Sequence, residues 1–175
     1  MTSTTNLSEL TGDYVLDAAL TRIGFVARHT MATKVPGHFE SFEGHAHLNG
    51  GDPSKSTAQL TIRAASIQTR NPRRDQALRD KFLDAPNHPT ITFTSTRIDQ
   101  IDDTTFTLTG TLTIRGTTKP ITIDVALTAT DNDRLTLEGT AAINRRDWGA
   151  HWSAAGFLVS KQVLLELDVT AIRQP

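Results

Sequence analysis

Two histidines, His45 and His47, stand two residues apart in the segment 42–48. Alternate residues of a β-strand point to the same side of the sheet, so these two imidazoles could share a metal ion. A metal site needs three or four placed ligands, and no motif supplies a third. The remaining histidines are scattered through the chain, at His29, His38, His88 and His151. The sequence therefore predicts no metal site.

The segment 70–84 carries a cluster of basic residues. Its arginines and lysine are interleaved with three aspartates, which is also typical of a solvated helix face. The guanidinium group is suited to bidentate binding of phosphate. Arg74 and Arg79 are therefore candidates for binding an anionic head group, with the solvated helix as the alternative.

Motifs for catalysis are absent from the sequence. The chain has no cysteine, which excludes disulfides, thiolate metal sites and cysteine nucleophiles. Neither a G-x-S-x-G nucleophile motif nor a glycine-rich phosphate loop is present. The sequence predicts no catalytic residue and no required cofactor. An enzyme acting on an apolar substrate, with His29 or His151 as the base, is the alternative.

The two tryptophans of the chain, Trp148 and Trp152, lie close together and are followed by Phe157. Large aromatic side chains are highly buried on average. We expect a buried plug at one end of the core, and the mouth of a ligand site is the alternative.

Charge and composition exclude several classes of protein. The 175 residues include 18 Lys and Arg against 19 Asp and Glu, which gives a net charge of −1. A protein that binds nucleic acid by neutralising phosphates usually has a basic surplus, so we expect no nucleic-acid partner. No apolar run approaches the ~18 residues of a membrane-spanning helix, so we expect no stable membrane insertion.

The first twelve residues contain neither a basic residue nor an apolar stretch, unlike a secretory signal peptide. If Met1 is the natural start, this predicts a cytoplasmic protein. We expect a flexible segment over residues 1–12 and a single domain over residues 13–175.

Strict alternation of apolar and polar residues predicts about eight β-strands. In the segment 105–115, one side of the strand carries Phe106, Leu108, Gly110, Leu112 and Ile114, and the other carries threonines. The same alternation recurs near residues 14–27, 42–48, 58–64, 91–93, 121–129, 135–143 and 163–171. Short turns join these runs, which favours antiparallel neighbours.

One segment has helical rather than strand spacing. Asn71 is a suitable N-cap and Pro72 fits the first helical position, which predicts one short helix around residues 72–83. The strands themselves could form a sandwich or a barrel. The glycines Gly44, Gly110 and Gly139 on the apolar faces favour a barrel that leaves room for a ligand. Bulges in a filled barrel are the alternative.

Ordered short motifs make the chain similar to the YceI-like family of polyisoprenoid-binding proteins. The similarity extends from Asp13 to Ile172, and its most distinctive part is Leu112-Thr113-Ile114-Arg115-Gly116 followed by Lys119-Pro120. The other motifs are Asp13-Tyr14-Val15-Leu16-Asp17, Ile23-Gly24-Phe25, Gly37-His38-Phe39, Phe42-Glu43-Gly44, Arg74-Asp75, His88-Pro89-Thr90-Ile91-Thr92-Phe93 and Arg146-Asp147-Trp148-Gly149.

The resemblance implies an all-β fold, a single lipocalin-like antiparallel β-barrel. It also implies non-catalytic binding, transport or storage of a long isoprenoid lipid, either a polyprenyl phosphate or an isoprenoid quinone. Many relatives are exported, whereas no signal peptide is expected here. A homodimer is a possible assembly, and a filled barrel serving as an interaction module is a further alternative.

An eight-stranded barrel is about the smallest that holds one ligand of this kind. We expect the inward rows to line a tunnel for the apolar chain. The predicted tunnel residues are Phe25, Phe42, Leu60, Ile62, Phe93, Leu108, Leu112, Ile123, Leu137, Trp148 and Leu165.

Overall fold

The computed structural model describes residues 7–29, 34–149 and 159–175. In this part of the chain the alternating segments form antiparallel strands, as predicted. The strands are β1 Gly12–Leu16, β2 Arg22–His29, β3 Lys34–Phe39, β4 Phe42–Leu48, β5 Thr57–Arg63, β6 Ile67–Gln68, β7 Thr90–Gln100, β8 Thr105–Ile114, β9 Thr117–Asp131, β10 Arg134–Asn144 and β11 Val159–Arg173.

The six strands β1 to β6 are three long strands that are each interrupted once. A 3-10 turn, Ala18–Leu20, separates β1 from β2, and another, Ala64–Ser66, separates β5 from β6. Residues 40–41 separate β3 from β4. The pairing continues across each break, because β1 pairs with β4 while β2 pairs with β3. Together with β7 to β11, these strands form the eight-stranded barrel that the sequence predicts.

Each strand of the barrel pairs with its neighbour in the sequence, and the last strand pairs with the first. The long strand β11 aligns Ala171 with Leu16 on β1 and Leu165 with Phe25 on β2. This pairing closes the sheet into a ring, which removes the exposed edges that an open sheet would leave. The choice between a sandwich and a barrel is thereby decided.

The predicted helix is present as α1 Pro72–Ala77, continued by a π-helical turn over Leu78–Phe82. The side chain of Asn71 caps α1 by accepting a hydrogen bond of 3.1 Å from the backbone N–H of Arg74. Leu78 and Phe82 pack against the barrel core. Within the described residues, no helix has the length and apolar character needed to cross a bilayer.

The apolar interior contains two clusters, one near each end of the barrel. The helix-end cluster lies beside α1 and includes Ile62, Leu83, Ile91, Ile143 and Trp148. The N-terminal-end cluster is formed by Leu10, Tyr14, Leu127, Leu135 and Ala171. Together the two clusters make up the apolar interior of the barrel.

The described part of the N-terminal segment contains a short helical turn ahead of the first strand. Leu7–Leu10 forms a 3-10 turn, and β1 begins at Gly12. Leu10 is buried, and its carbonyl oxygen accepts a hydrogen bond of 2.9 Å from the Tyr14 hydroxyl. The chain therefore packs against the barrel before residue 13.

The Leu-Thr-Ile-Arg-Gly motif forms the turn between β8 and β9. Arg115 has φ 52° and Gly116 has φ 75°, the positive values that a two-residue type I′ hairpin requires. The Arg115 side chain donates a hydrogen bond from Nη1 to the carbonyl oxygen of Gly149. The motif thus connects this hairpin to the segment that follows β10 at the helix end.

Candidate ligand-binding cavity

The barrel encloses a cavity of about 370 Å³. This volume lies in the range of about 300–1,000 Å³ that is typical of small-molecule sites. The cavity extends from the N-terminal-end cluster, at Leu10 and Tyr14, to the helix-end cluster, at Phe82 and Trp148. Inward residues from Ile121 to Leu127 line it, a stretch of about 20 Å along β9. The barrel is therefore not filled by its own side chains.

The structure brings most of the predicted tunnel residues together in the wall of this cavity. Phe42 differs, because it stands at the first position of β4 and packs against the helix-end cluster without lining the cavity. The predicted residues that line it are Phe25, Leu60, Ile62, Phe93, Leu108, Leu112, Ile123, Leu137, Trp148 and Leu165.

The lining residues fall into two groups by burial. Ile62, Phe93, Leu112, Ile123 and Trp148 are buried and pack against their neighbours. A second group remains half-buried although its side chains point into the barrel, so part of their surface faces open space: Phe25, Leu60, Leu108, Leu137 and Leu165. The second group is the part of the wall that a ligand would contact.

Four further aromatic residues line the cavity and were not predicted: Tyr14, Phe39, Phe82 and Phe106. Phe106 belongs to the same alternating row as Leu108, so periodicity could have identified it. Phe39 is a cross-strand partner of Ile23, a relationship that depends on strand register. Phe82 reaches the cavity from the π-helical turn, for which the sequence offers no pattern.

The three glycines expected to make room for a ligand have different roles. Gly44 and Gly139 line the cavity. Gly110 does not, because the ring of Phe93 lies against it: a Cβ at Gly110 would be 2.6 Å from Phe93 Cζ and 2.4 Å from the carbonyl oxygen of Thr94. At this position the missing side chain accommodates a core aromatic ring and not a ligand.

Apart from His45 and Gln59, which are exposed residues of β4 and β5, the polar groups in the lining lie at the two ends of the barrel. At the N-terminal end they include Asn49 and Ser56, which hydrogen-bond within their own loop: Ser56 Oγ accepts from the N–H of Asn49 at 2.9 Å, and Asn49 Oδ1 accepts from Asp52 at 3.0 Å. At the helix end the polar side chains of the lining are Thr69, Arg74 and Arg145. Among the described residues, no aspartate, glutamate or lysine lines the cavity.

The two predicted head-group residues are separated by the fold. Arg74 lines the cavity, and it donates to Thr69 from Nε at 2.8 Å and from Nη2 at 2.7 Å. The Thr69 hydroxyl in turn bonds Asp75 Oδ1, which also accepts from the Thr69 N–H at 2.9 Å. Arg79 lies outside the lining, where it donates to Gln76 Oε1 at 3.4 Å.

Arg145 lines the helix end of the cavity, although the sequence alone did not indicate it. Its guanidinium carbon lies 5.6 Å from the centroid of the Phe82 ring, and the residue is only 7% exposed. Burial lowers the pKa of this guanidinium from its ordinary value, and the charge of Arg146 contributes in the same direction. The charge of Arg145 therefore lies in an environment poor in water.

The sequence left two interpretations of Trp148, a buried plug of the core or the mouth of a ligand site. It is 3% exposed, donates from Nε1 to the carbonyl oxygen of Leu112 at 2.8 Å, and also lines the cavity. It is therefore a core residue whose ring forms part of the cavity wall. His151, Trp152 and Phe157 lie outside the described residues.

The histidine pair on β4 lies on the outer surface of the barrel. His45 and His47 are exposed, and His47 Nδ1 lies 2.8 Å from Asp13 Oδ1. Within residues 7–29, 34–149 and 159–175, no group of three or more potential ligands is arranged to hold a metal ion. The side chain of His29, one candidate for a base, is also outside the described part.

Comparisons with known proteins agree with this architecture. A sequence profile for the YceI-like domain matches residues 14–171. A UPF0312 protein of Pseudomonas paraeruginosa is 34% identical over 158 residues, which cover 87% of this chain and 81% of the relative. The crystal structure of Burkholderia cenocepacia BcnA superposes with a TM-score of 0.81 at 23% identity, covering 89% of this chain and 98% of that one. A polyisoprenoid binding domain from Saccharophagus degradans, implicated in plant cell wall breakdown, has a TM-score of 0.75 at 16% identity, with 92% and 98% covered.

Proposed function

The chain belongs to the family of YceI-like domains, and from this premise we propose that it binds a long-chain isoprenoid lipid inside the barrel. The lipid is carried or stored without chemical conversion, as a polyprenyl phosphate or an isoprenoid quinone. The observation that carries the proposal is the apolar cavity that extends between the two ends of the barrel.

The chemistry of the cavity wall supports a linear apolar ligand. The middle of the wall consists of aliphatic and aromatic side chains, whereas Arg74 and Arg145 lie at the helix end. A ligand with an apolar chain and one polar terminus matches this distribution, because each part meets an environment of its own polarity. The name of the structurally similar domain from Saccharophagus degradans supports the same ligand class.

Burial of the chain would supply the affinity. At about 0.3 kcal/mol per heavy atom, each five-carbon isoprene unit contributes about 1.5 kcal/mol, which is close to a tenfold gain in affinity. We therefore expect affinity to increase with each added isoprene unit until the chain outgrows the cavity.

The test combines the lipid content of the purified protein with uptake of added lipids. Native mass spectrometry and organic extraction identify any lipid that copurifies. Uptake of prenyl alcohols, prenyl phosphates and short-tailed quinones is followed by the fluorescence of Trp148 in the Trp152→Phe variant, which leaves Trp148 as the remaining tryptophan. Straight-chain alcohols of matched length are the control for non-specific apolar binding.

Specific uptake that strengthens with isoprene length would support the proposal. Absence of copurifying lipid, together with failure to take up any isoprenoid more tightly than a matched straight-chain alcohol, would reject it.

A further inference from the structure

Two arginines from distant parts of the sequence line the helix end of the cavity. Arg74 belongs to α1, and Arg145 begins the 3-10 turn Arg145–Trp148 that follows β10. Both line the cavity, whereas no described aspartate, glutamate or lysine does so. Its other titratable lining residues are His45, on the exposed face of β4, and Tyr14, at the N-terminal end of the barrel. The helix end of the wall is therefore positively charged.

Arg74 is held in position by Thr69, its neighbour in the helix-end lining. Its Nε and Nη2 atoms donate to Thr69, and Thr69 is anchored by Asp75. These bonds account for two of the three guanidinium nitrogens and leave Nη1 with no hydrogen bond to a described residue. Because the side chain is fixed at one edge, a ligand would meet a donor that is already oriented.

Arg145 is buried beside an aromatic ring. Its guanidinium carbon lies over the Phe82 ring, 5.6 Å from the ring centroid, which is a cation–π contact. This contact leaves the positive charge at the cavity wall, where it attracts an anion. Because the residue is 7% exposed, an anion in its vicinity would be screened only weakly by water.

The nearby carboxylates do not offset these charges within the cavity. Asp75 is 3% exposed, accepts hydrogen bonds at Oδ1 from the N–H and hydroxyl of Thr69, and does not line the cavity. Asp147, two residues after Arg145, is exposed and does not line the cavity. A phosphate group would therefore face two guanidinium groups and no competing carboxylate of the wall.

We propose that Arg145, together with Arg74, makes the cavity selective for isoprenoid lipids with a phosphate head group over neutral isoprenoids. This inference rests on the proposed function and decides between its two ligand classes. Hydrogen bonds between a guanidinium and a phosphate are charge-assisted, whereas a hydroxyl or quinone oxygen provides only a neutral acceptor. The apolar chain would contact the same wall in both cases.

The test compares two probes with the same twenty-carbon chain, geranylgeranyl phosphate and geranylgeraniol. The wild-type chain, Arg145→Met and Arg74→Gln are measured with both probes, and Arg79→Gln is the matched control because Arg79 lies outside the cavity. Methionine keeps a long side chain beside Phe82 while removing the charge. Thermal unfolding of each variant shows whether the fold is retained.

We expect the wild-type chain and Arg79→Gln to bind the phosphate at least about tenfold more tightly than the alcohol. Arg145→Met and Arg74→Gln should lose most of this preference and keep their affinity for the alcohol. Equal binding of the two probes by the wild-type chain, or an unchanged preference in folded Arg145→Met, would overturn the inference and leave lipid binding intact. Failure of the wild-type chain to bind either probe would instead reject the proposed function, and the inference with it. If Arg145→Met does not fold, the preference for the phosphate over the alcohol, measured in Arg74→Gln and in the wild-type chain, still decides the outcome.

Discussion

The ring of Phe25 occupies the space that a side chain on Gly37 would need. The two residues are cross-strand partners on β2 and β3, and a Cβ at Gly37 would lie 2.3 Å from Phe25 Cζ. The ring also contacts Phe39, with 5.7 Å between the ring centroids, and lines the cavity. Gly37 therefore keeps the Phe25 ring against the barrel wall, where it leaves the interior open.

Gly37→Ala should reduce lipid binding more than it reduces stability. All three of the closest contacts of the added Cβ are to the Phe25 ring, which can move into the cavity and occupy ligand space. We expect affinity for an isoprenoid to fall about tenfold, equivalent to ~1.4 kcal/mol. Gly37→Ala combined with Phe25→Leu should restore most of the affinity, since the shorter side chain removes the clash.

Gly110→Ala provides a contrasting case for the same experiment. There the added Cβ would meet the backbone oxygen of Thr94 at 2.4 Å, which a side-chain movement cannot relieve. We expect a loss of about 1–3 kcal/mol in the free energy of unfolding, the usual effect of overpacking. Gly139→Ala, whose nearest contact would be 3.4 Å, should be tolerated. Urea denaturation of the variants measures these differences. Equal losses in the free energy of unfolding for Gly110→Ala and Gly139→Ala would contradict the different packing described for the two glycines.

Leu108→Trp should block the cavity while the barrel stays folded. Leu108 is half-buried and lines the cavity near its middle, so a larger side chain would fill open space rather than displace packed neighbours. We expect isoprenoid binding to weaken at least about tenfold. Thr122→Trp is the matched control, because Thr122 is exposed on the outer side of β9. Unchanged lipid uptake by folded Leu108→Trp would remove this position from the binding surface.

Tyr14 should make the stability of the protein sensitive to alkaline pH. Burial raises the pKa of its hydroxyl above the ordinary value of about 10, an effect that the charge of Arg173 partly opposes. The folded chain thus binds this proton more tightly than the unfolded chain. The associated stability is complete below pH ~10 and is lost as the pH rises through the raised pKa.

Tyr14→Phe tests this linkage. It removes the hydrogen bond to Leu10, and we expect a loss of about 1 kcal/mol at neutral pH together with a shallower decline of stability above pH ~10. Tyr14 is the single tyrosine of the sequence, so phenolate absorbance reports its ionisation alone. Titration of the same chain in denaturant is the control. A folded-state pKa at or below the denatured value would contradict the prediction.

Asp75→Asn should destabilise the connection between α1 and β6. The buried carboxylate accepts bonds from the Thr69 N–H and hydroxyl, and an amide replaces one of its acceptor oxygens by a donor. We expect the free energy of unfolding to fall by about 1–2 kcal/mol, because hydrogen bonds to a neutral amide oxygen are weaker than hydrogen bonds to a carboxylate. Asp103→Asn, at an exposed turn position, should change it little. Equal denaturation midpoints for the two variants would show that the Asp75 bonds add nothing.

Local sequence pattern was sufficient to predict the strands because side-chain direction in a strand alternates with a period of two residues. It failed where the backbone departs from that period. Strict alternation from Ile121 would place Ala129 on the inward row, but Ala129 is exposed because the pairing of β9 with β10 shifts between Thr136 and Leu137. A bulge of this kind depends on the partner strand, which the sequence of β9 does not contain.

The sequence by itself determined an all-β chain with one short helix, the inward rows and ten of the residues that line the cavity, since these follow from spacing along a single segment. The closure of the barrel, the empty space within it and the presence of both Arg145 and Arg74 in the wall at one end were decided by the tertiary structure alone. Arg145 and Arg74 are 71 positions apart in the sequence, and no local pattern relates them. They share one cavity because β11 pairs with β1 and β2 to close the ring, a contact between the two ends of the chain.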